Sequence, residues 1–198
     1  IGFFGSVDAE YKDRYILSAL VRRDGSSLFG EEERWQTFGR ASLAYRLSQE
    51  SWWFIPQMNE LKLRASYGVA GGRPSFAAQY ETFTLSAAGI ATPGVLGNTQ
   101  LRPEVSHEQE YGADFELFKR LGGNITYAKT RVTDQILQPP LSAASGFTSQ
   151  WRNAGTLENS AFEVSLNMPI ITGKDLNYTA RITYDRIRSR VTELSVPA

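Results

Sequence analysis

The sequence predicts an all-β fold, an antiparallel, up-and-down transmembrane β-barrel present in part, with about eight strands of a larger wall. Three observations carry that expectation. Apolar and polar residues alternate with a period of two in one segment after another, the connections alternate between short and long, and aromatic residues gather near segment ends. A period of two sends successive side chains to opposite faces of a strand, so each segment acquires one apolar and one polar face.

The first two segments alternate weakly. Phe3, Gly5, Val7, Ala9 and Tyr11 oppose Phe4, Ser6, Asp8 and Glu10, and Tyr15, Leu17, Ala19 and Val21 oppose Arg14, Ile16, Ser18, Leu20 and Arg22. From Trp35 to Ser48 the pattern is clean, with Gly39, Ala41, Leu43 and Tyr45 on one side and Arg40, Ser42, Ala44 and Arg46 on the other. Leu61, Leu63, Ala65, Tyr67 and Val69 face away from Lys62, Arg64, Ser66 and Gly68. The same holds for Tyr111, Ala113, Phe115 and Leu117 against Glu110, Gly112, Asp114 and Glu116. Phe162, Val164, Leu166 and Met168 oppose Ala161, Glu163, Ser165 and Asn167, and Leu176, Tyr178, Ala180, Ile182 and Tyr184 oppose Asn177, Thr179, Arg181, Thr183 and Asp185. Asn124 to Thr133 starts correctly with Ile125 and Tyr127 and then puts Lys129 and Arg131 on the same side. Either that strand leaves its apolar surroundings there or a bulge resets its register.

Lys12-Asp13, Arg120 to Gly123 and Pro169 to Asp175 read as short turns. Asp24 to Arg34, Gly71 to Ser106 and Gln138 to Leu157 read as long loops, rich in Gly, Ser, Pro and Asn. Residues 49–60 are intermediate, with a helical turn expected around Gln49 to Trp53. In an up-and-down arrangement every long loop leaves one end and every short turn the other, the asymmetry of an outer-membrane barrel.

Composition narrows the function classes. The 198 residues carry 21 basic and 21 acidic side chains, one histidine and no cysteine. Balanced charge argues against a nucleic-acid or anionic-membrane partner recruited by bulk electrostatics, since either would want a basic surplus. Lack of cysteine excludes a disulfide scaffold, thiolate metal ligands and a cysteine nucleophile. Nowhere do 18 apolar residues run together, so no helix can span a bilayer. Strands can, because a wet lumen accepts the charged face while lipid meets the apolar one. Aromatics then belong at the interfaces: Tyr11, Tyr15, Tyr45 and Trp52-Trp53-Phe54 at one end, Trp35 and Tyr184 at the other. A soluble, carbohydrate-binding β-sandwich would share the periodicity but usually has shorter strands, about 5 to 6 residues. A complete eight-stranded barrel with a structural or adhesion role is a further alternative.

DRYILSALVRRDGSSLFG from Asp13, followed by Trp35 and Phe38, resembles a strand-loop-strand signature in the barrel of SusC/RagA-type TonB-dependent transporters. LKLRASYGVAGG from Leu61, LGNTQLRPEVSHEQEYGADFEL from Leu96 and NAGTLENSAFEVSL from Asn153 continue the resemblance in order. It implies a barrel of about 22 strands in the bacterial outer membrane. It also implies import of oligosaccharides, peptides or similar nutrients, energy supplied through TonB, and a SusD-like surface lipoprotein as partner. On this reading residues 1–198 are part of one barrel domain without a plug. Ile1 is not an initiator methionine and Ser195-Val196-Pro197-Ala198 ends no aromatic-terminated strand, so a fragment from the C-terminal half of the barrel is expected.

Candidate chemistry is sparse. His107, beside Ser106 and near Glu104, Glu108 and Glu110, has no second histidine to complete a metal site or a hydrolytic pair. Gly68, Gly71 and Gly72 lack the Gly-Lys-Ser/Thr of a phosphate loop. Glu31-Glu32-Glu33-Arg34 reads as a solvated loop tip, Asp24-Gly25 and Gly97-Asn98 as turn formers, and Arg22 and Arg23 as contacts at a loop root. The sequons at Asn124 and Asn177 carry little weight if the source is bacterial, as the resemblance implies. Enzymatic activity is not expected, and no catalytic, metal or cofactor residue is assigned. Cargo contact, if made by loops, would fall to Phe76, Tyr80, Phe83, Phe147 and Trp151, because sugar rings stack on aromatic faces; no substrate-binding residue is assigned among them.

Overall fold

The computed structural model describes residues 1–26 and 34–195. The Glu31 to Glu33 run and the segment from Val196 lie outside these. Eight long strands form one antiparallel sheet: β1 (Gly2–Tyr11), β2 (Tyr15–Gly25), β3 (Trp35–Arg46), β4 (Met58–Gly72), β8 (Glu104–Leu117), β9 (Leu121–Leu137), β11 (Arg152–Thr172) and β12 (Asn177–Leu194). They pair strictly in that order, leaving β1 and β12 as the two edges of an unclosed sheet. Four short strands, β5 (Phe83–Leu85), β6 (Ala91–Pro93), β7 (Val95–Leu96) and β10 (Ser149–Gln150), belong to the long loops.

Register keeps the two faces distinct across the wall. Tyr11, Tyr15, Tyr45 and Leu63 are successive partners on one face, as are Ala65, Tyr111, Tyr127 and Phe162. The opposite face carries Arg40, Arg46, Lys62, Arg64, Glu108, Glu110 and Asp114. In a closed barrel the apolar set faces lipid and the charged set faces the lumen.

Two short turns differ from the expected sites. Lys12 and Asp13 both have φ near +55°, as do Phe118 and Lys119, and each pair forms the centre of a tight turn within a three-residue connection, at 12–14 and at 118–120. The second turn therefore spans 118–120, sharing only Arg120 with the expected Arg120 to Gly123, and Gly122 and Gly123 lie inside β9. β11 likewise runs through Pro169 to Thr172, absorbing Pro169 at a register shift. The helical turn expected at Gln49 to Trp53 is a short 3₁₀ turn at Leu47–Gln49. Trp53 Nε1 pins the chain that follows, donating to the carbonyls of Ile55 (3.2 Å) and Met58 (3.1 Å).

β9 pairs with β11 without interruption from Gly122 to Val132, so no bulge precedes Lys129. Lys129 and Arg131 stay on the apolar set's face, and the strand has left its apolar band at that height. The register break comes later, beside Asp134, whose φ is +54°.

The aromatic ends are largely as expected. Tyr15 stacks on Tyr45 at 4.8 Å with Tyr11 beside it at the short-turn end, and Phe3 stacks on Trp35 at the other. Tyr184 does not lie at an end: it sits midway along β12 opposite Val164, because β12 reaches Leu194, farther than periodicity alone revealed.

Strand side chains here have little to bury against within the sheet itself. The buried residues cluster instead under the long loops, at Ala78, Leu101, Ala154 and Thr156.

Candidate site on the lumen wall and its loop platform

The polar face bears a ladder of opposed charges. Lys62 Nζ lies 2.7 Å from Asp114, and Arg64 Nη1 donates to Glu110 at 3.1 Å. Arg64 Nε approaches Asp114 to 3.2 Å, out of line for a hydrogen bond, so that contact is a charge pair alone. Arg46 holds Glu60 through Nε (2.9 Å) and Nη2 (3.2 Å). These partners sit on neighbouring strands at facing or diagonal positions, which brings opposite charges within reach without turns or loops.

Above the ladder, toward the long loops, the same face forms a hollow of about 920 Å³. Phe4, Leu20 and Phe38 supply apolar surface, and Arg40, Arg73 and Glu108 supply charge. Among the described residues Arg40 and Arg73 make no ion pair. The arrangement can hold a polar, extended molecule by apolar contact together with charge-assisted hydrogen bonds.

Two of the long loops are tied to one another. β7 and β10 pair in parallel, joining the loop before β8 to the loop before β11. Asn153 Nδ2 donates to the carbonyls of Arg102 (2.9 Å) and Asp134 (2.7 Å), and its Oδ1 accepts from the Arg102 amide at 2.9 Å. Asn98 Nδ2 donates to the Trp151 carbonyl at 3.0 Å. Gly97 lets two chain segments touch: a Cβ there would stand 2.5 Å from the Tyr80 carbonyl carbon. Sequence reasoning missed Asn153 and Asp134. The only signal was an Asn and an Asp among loop-rich stretches, residues that satisfy backbone groups where sheet pairing stops.

The expected site residues fall in different places. His107 lies on the apolar set's face with Nδ1 2.8 Å from Tyr67 Oη, while Glu104 accepts from the Ile136 amide at 2.6 Å and Glu108 from Thr130 Oγ1 at 3.4 Å on the polar face. They do not converge. Among the described residues no group of three His, Cys, Asp or Glu side chains could hold a metal ion. Gly68, Gly71 and Gly72 belong to β4. Asp24 and Gly25 lie inside β2 instead of forming a turn, and Gly97-Asn98 is a loop junction. Arg22 pairs with Asp24 at 2.6 Å, and the Arg23 guanidinium lies over the Trp35 ring at 5.4 Å. Asn124 lies in β9 and Asn177 opens β12. Phe76 packs on Tyr80 (5.2 Å) and Phe83 on Phe147 (6.2 Å), so these loop aromatics meet each other, while Trp151 offers its carbonyl to Asn98.

At the short-turn end, Glu50 gathers Tyr15 Oη (2.8 Å), Tyr45 Oη (3.1 Å) and Arg14 Nη1 (2.9 Å). The Tyr15 hydrogen bond, with Tyr45 and the Arg14 charge, holds the Glu50 carboxyl below the ordinary carboxylate range, against partial burial that pulls the other way.

The sheet resembles known proteins in sequence and in shape. The family model described as TonB dependent receptor-like, beta-barrel matches residues 1–196. TonB-dependent receptor P3 of Formosa agariphila is 32% identical over 98% of the chain and 20% of the relative. TonB-dependent receptor SusC of Bacteroides thetaiotaomicron is 26% identical over 98% of the chain and 21% of the relative. The chain thus spans about a fifth of the length of the curated relatives it matches. In shape, the RagAB peptide transporter superposes with a TM-score of 0.85 at 24% identity, covering 98% of this chain and 22% of that one. The siderophore receptor PirA from Pseudomonas aeruginosa gives 0.68 at 17% identity, over 97% of this chain and 34% of that one. These two likenesses carry the fold. The relatives are receptors and transporters rather than enzymes, and the alternation, the strand order and the match over residues 1–196 agree: the chain belongs to the TonB-dependent receptor β-barrel family of outer-membrane proteins.

Proposed function

We propose that residues 1–198 are one stretch of the wall of a single barrel domain in a SusC/RagA-like nutrient importer of the bacterial outer membrane. Its long loops face the outside and its short turns the periplasm. The hollow on the polar face, toward the long-loop end of the strands, contacts cargo on its way inward. A plug, coupling to TonB and a SusD-like lipoprotein over the loops complete the transporter in this reading.

The single observation that carries the cargo assignment is the composition of the hollow: Phe4, Leu20 and Phe38 beside Arg40, Arg73 and Glu108. A peptide offers apolar side chains, carboxylates and ammonium groups to match all of these. An oligosaccharide would draw instead on loop aromatics such as Phe76, Tyr80 and Phe83, which stay exposed, but a neutral glycan offers no charge to Arg40, Arg73 and Glu108. That the RagAB neighbour is a peptide transporter supports the same reading.

Two measurements test the proposal in the full-length protein. In a background with no other cysteine, Ala88→Cys at the tip of the β5–β6 hairpin should be labelled in intact cells by a membrane-impermeant maleimide, and Lys174→Cys in the β11–β12 turn should not. The reverse pattern would invert the orientation. Purified protein should bind defined oligopeptides, with the Arg40→Glu/Arg73→Glu variant weakened toward peptides bearing carboxylates. Binding of oligosaccharides but not peptides would overturn the cargo reading.

A further inference from the structure

The apolar face carries cations on the long-loop side of its aromatic row. Register places Tyr127, Phe162 and Arg186 in one row, then Lys129, Ser160 and Arg188, then Arg131, Glu158 and Arg190. All of these share the face of Ile125, Val164, Tyr184 and Ile182. Five cations therefore surround one carboxylate. Glu158 lies 3.6 Å from Lys129 and 3.9 Å from Arg131, and among the described residues Arg186, Arg188 and Arg190 make no ion pair. Between the strands, Tyr67, His107, Gln109, Lys129, Arg131 and Glu158 line a shallow depression of about 320 Å³.

Depth identifies what this patch meets. Lys129 is the ninth residue of β9 and Arg186 the tenth of β12, counted from the short-turn end. A tilted strand needs about 9 to 11 residues to cross the hydrocarbon. The cations thus begin where acyl chains end and headgroups start. A soluble anion would use the charges alone. A lipid with a phosphorylated headgroup uses both the cations and the apolar band directly beneath them.

We propose that Lys129, Arg131, Arg186, Arg188 and Arg190 form a binding site for the phosphate groups of an anionic lipid in the leaflet on the long-loop side. The inference rests on the outer-membrane orientation proposed above. The lipid's chains lie along Ile125, Val164 and Tyr184, and Tyr127 and Phe162 mark the boundary. Glu158 spaces Lys129 and Arg131 so that neither collapses onto a tighter partner, which leaves their remaining donors to phosphate oxygens.

Diphosphorylated lipid A is the probe, and its dephosphorylated form the control, in native mass spectrometry of the full-length protein in detergent. The protein should retain the phosphorylated form in preference. A cation near an anionic surface is worth about fivefold in binding, so Lys129→Ala/Arg131→Ala/Arg188→Ala should weaken retention on the order of a hundredfold. The single Lys129→Gln should cost about fivefold. It serves where the triple variant loses its heat-modifiable folded band on gels. The lumen-face control Arg181→Ala should retain lipid fully. Equal retention of both lipids, or retention unchanged in a folded triple variant, would overturn the inference. So would stripping of the lipid by inorganic phosphate, which would mark a free-anion site. Failure of the underlying reading looks different: a protein recovered without detergent, or one labelled at Lys174→Cys from outside, removes the membrane orientation itself.

Discussion

Arg64 on β4 reaches over β8 to Thr126 on β9, donating a 3.2 Å hydrogen bond from Nη2 to Oγ1. Gly112 makes the crossing possible, since a Cβ there would stand 2.7 Å from Nη2. One side chain thereby links three strands, while its other nitrogens engage Glu110 and Asp114. Sheet pairing alone joins only neighbours, so this link resists shear of β4 against β9 in a way the backbone ladder does not.

The first prediction follows from that geometry. Gly112→Ala should displace the guanidinium and lower the unfolding midpoint of the full-length barrel. In a double-mutant cycle, Arg64→Gln and Thr126→Val should show a coupling of about 1 kcal/mol. In the Gly112→Ala background the coupling should vanish. Additivity in the native background would show that the contact contributes nothing.

A second prediction concerns acid. The Glu50 carboxyl is held below its ordinary value, chiefly by the Tyr15 hydrogen bond. A lowered folded pKa gives stability that is fully present above the unfolded value and is lost as pH falls through the folded one. Denaturant midpoints should therefore fall below about pH 4.3, and Glu50→Gln should flatten that part of the profile while lowering stability at neutral pH. A profile identical in both proteins would contradict the assignment.

Asn153 supports the third prediction. Its amide serves the Arg102 and Asp134 carbonyls and the Arg102 amide, backbone groups that lie where β9 and β11 lose register. Asn153→Ala should release both long loops together, seen as faster hydrogen exchange and protease cleavage in residues 73–103 and 138–151. The local cost is about 2 to 3 kcal/mol. Gly97→Val should loosen the same loops by forcing the Gln79-Tyr80 backbone away. Loosening of one loop without the other would show that they are not coupled.

The fourth prediction is a stabilising change. Asp13 is held at φ +54° in the β1–β2 turn, a conformation that costs an L-residue about 1 to 2 kcal/mol. Asp13→Gly should relieve most of that cost, offset by glycine's greater freedom when unfolded. The Arg14 amide still donates to the Tyr11 carbonyl in that turn. A net rise of about 0.5 to 1 kcal/mol in unfolding free energy is expected. A fall would mean that the Asp13 side chain contributes more than its backbone strain costs.

The eight strands and their apolar and polar faces were legible in the residues themselves, because a period of two is a local property and each hairpin aligns its own neighbours. Leu61 to Val69 and Phe162 to Met168 needed no partner to declare which side was apolar. The same locality explains the errors. The turn falls at 118–120 because backbone twist selects the turn, and glycine at 122 and 123 gave a false signal. Tyr184 was misplaced because strand length past the apolar stretch depends on the partner strand, and β11 draws β12 on to Leu194.

By itself, then, the sequence determined an alternating, two-faced wall without cysteine or net charge, its strand order, and its kinship with outer-membrane transporters. Only the tertiary structure decided the rest. It showed that Lys129 and Arg131 remain on the apolar side, that Arg64 spans three strands, and that Asn98 and Asn153 bind two loops into one platform. Each of those depends on residues far apart in the chain meeting at a particular register and depth. Alternation reports the face of a residue, but the neighbour on that face and its height in the membrane follow only when all the strands are aligned.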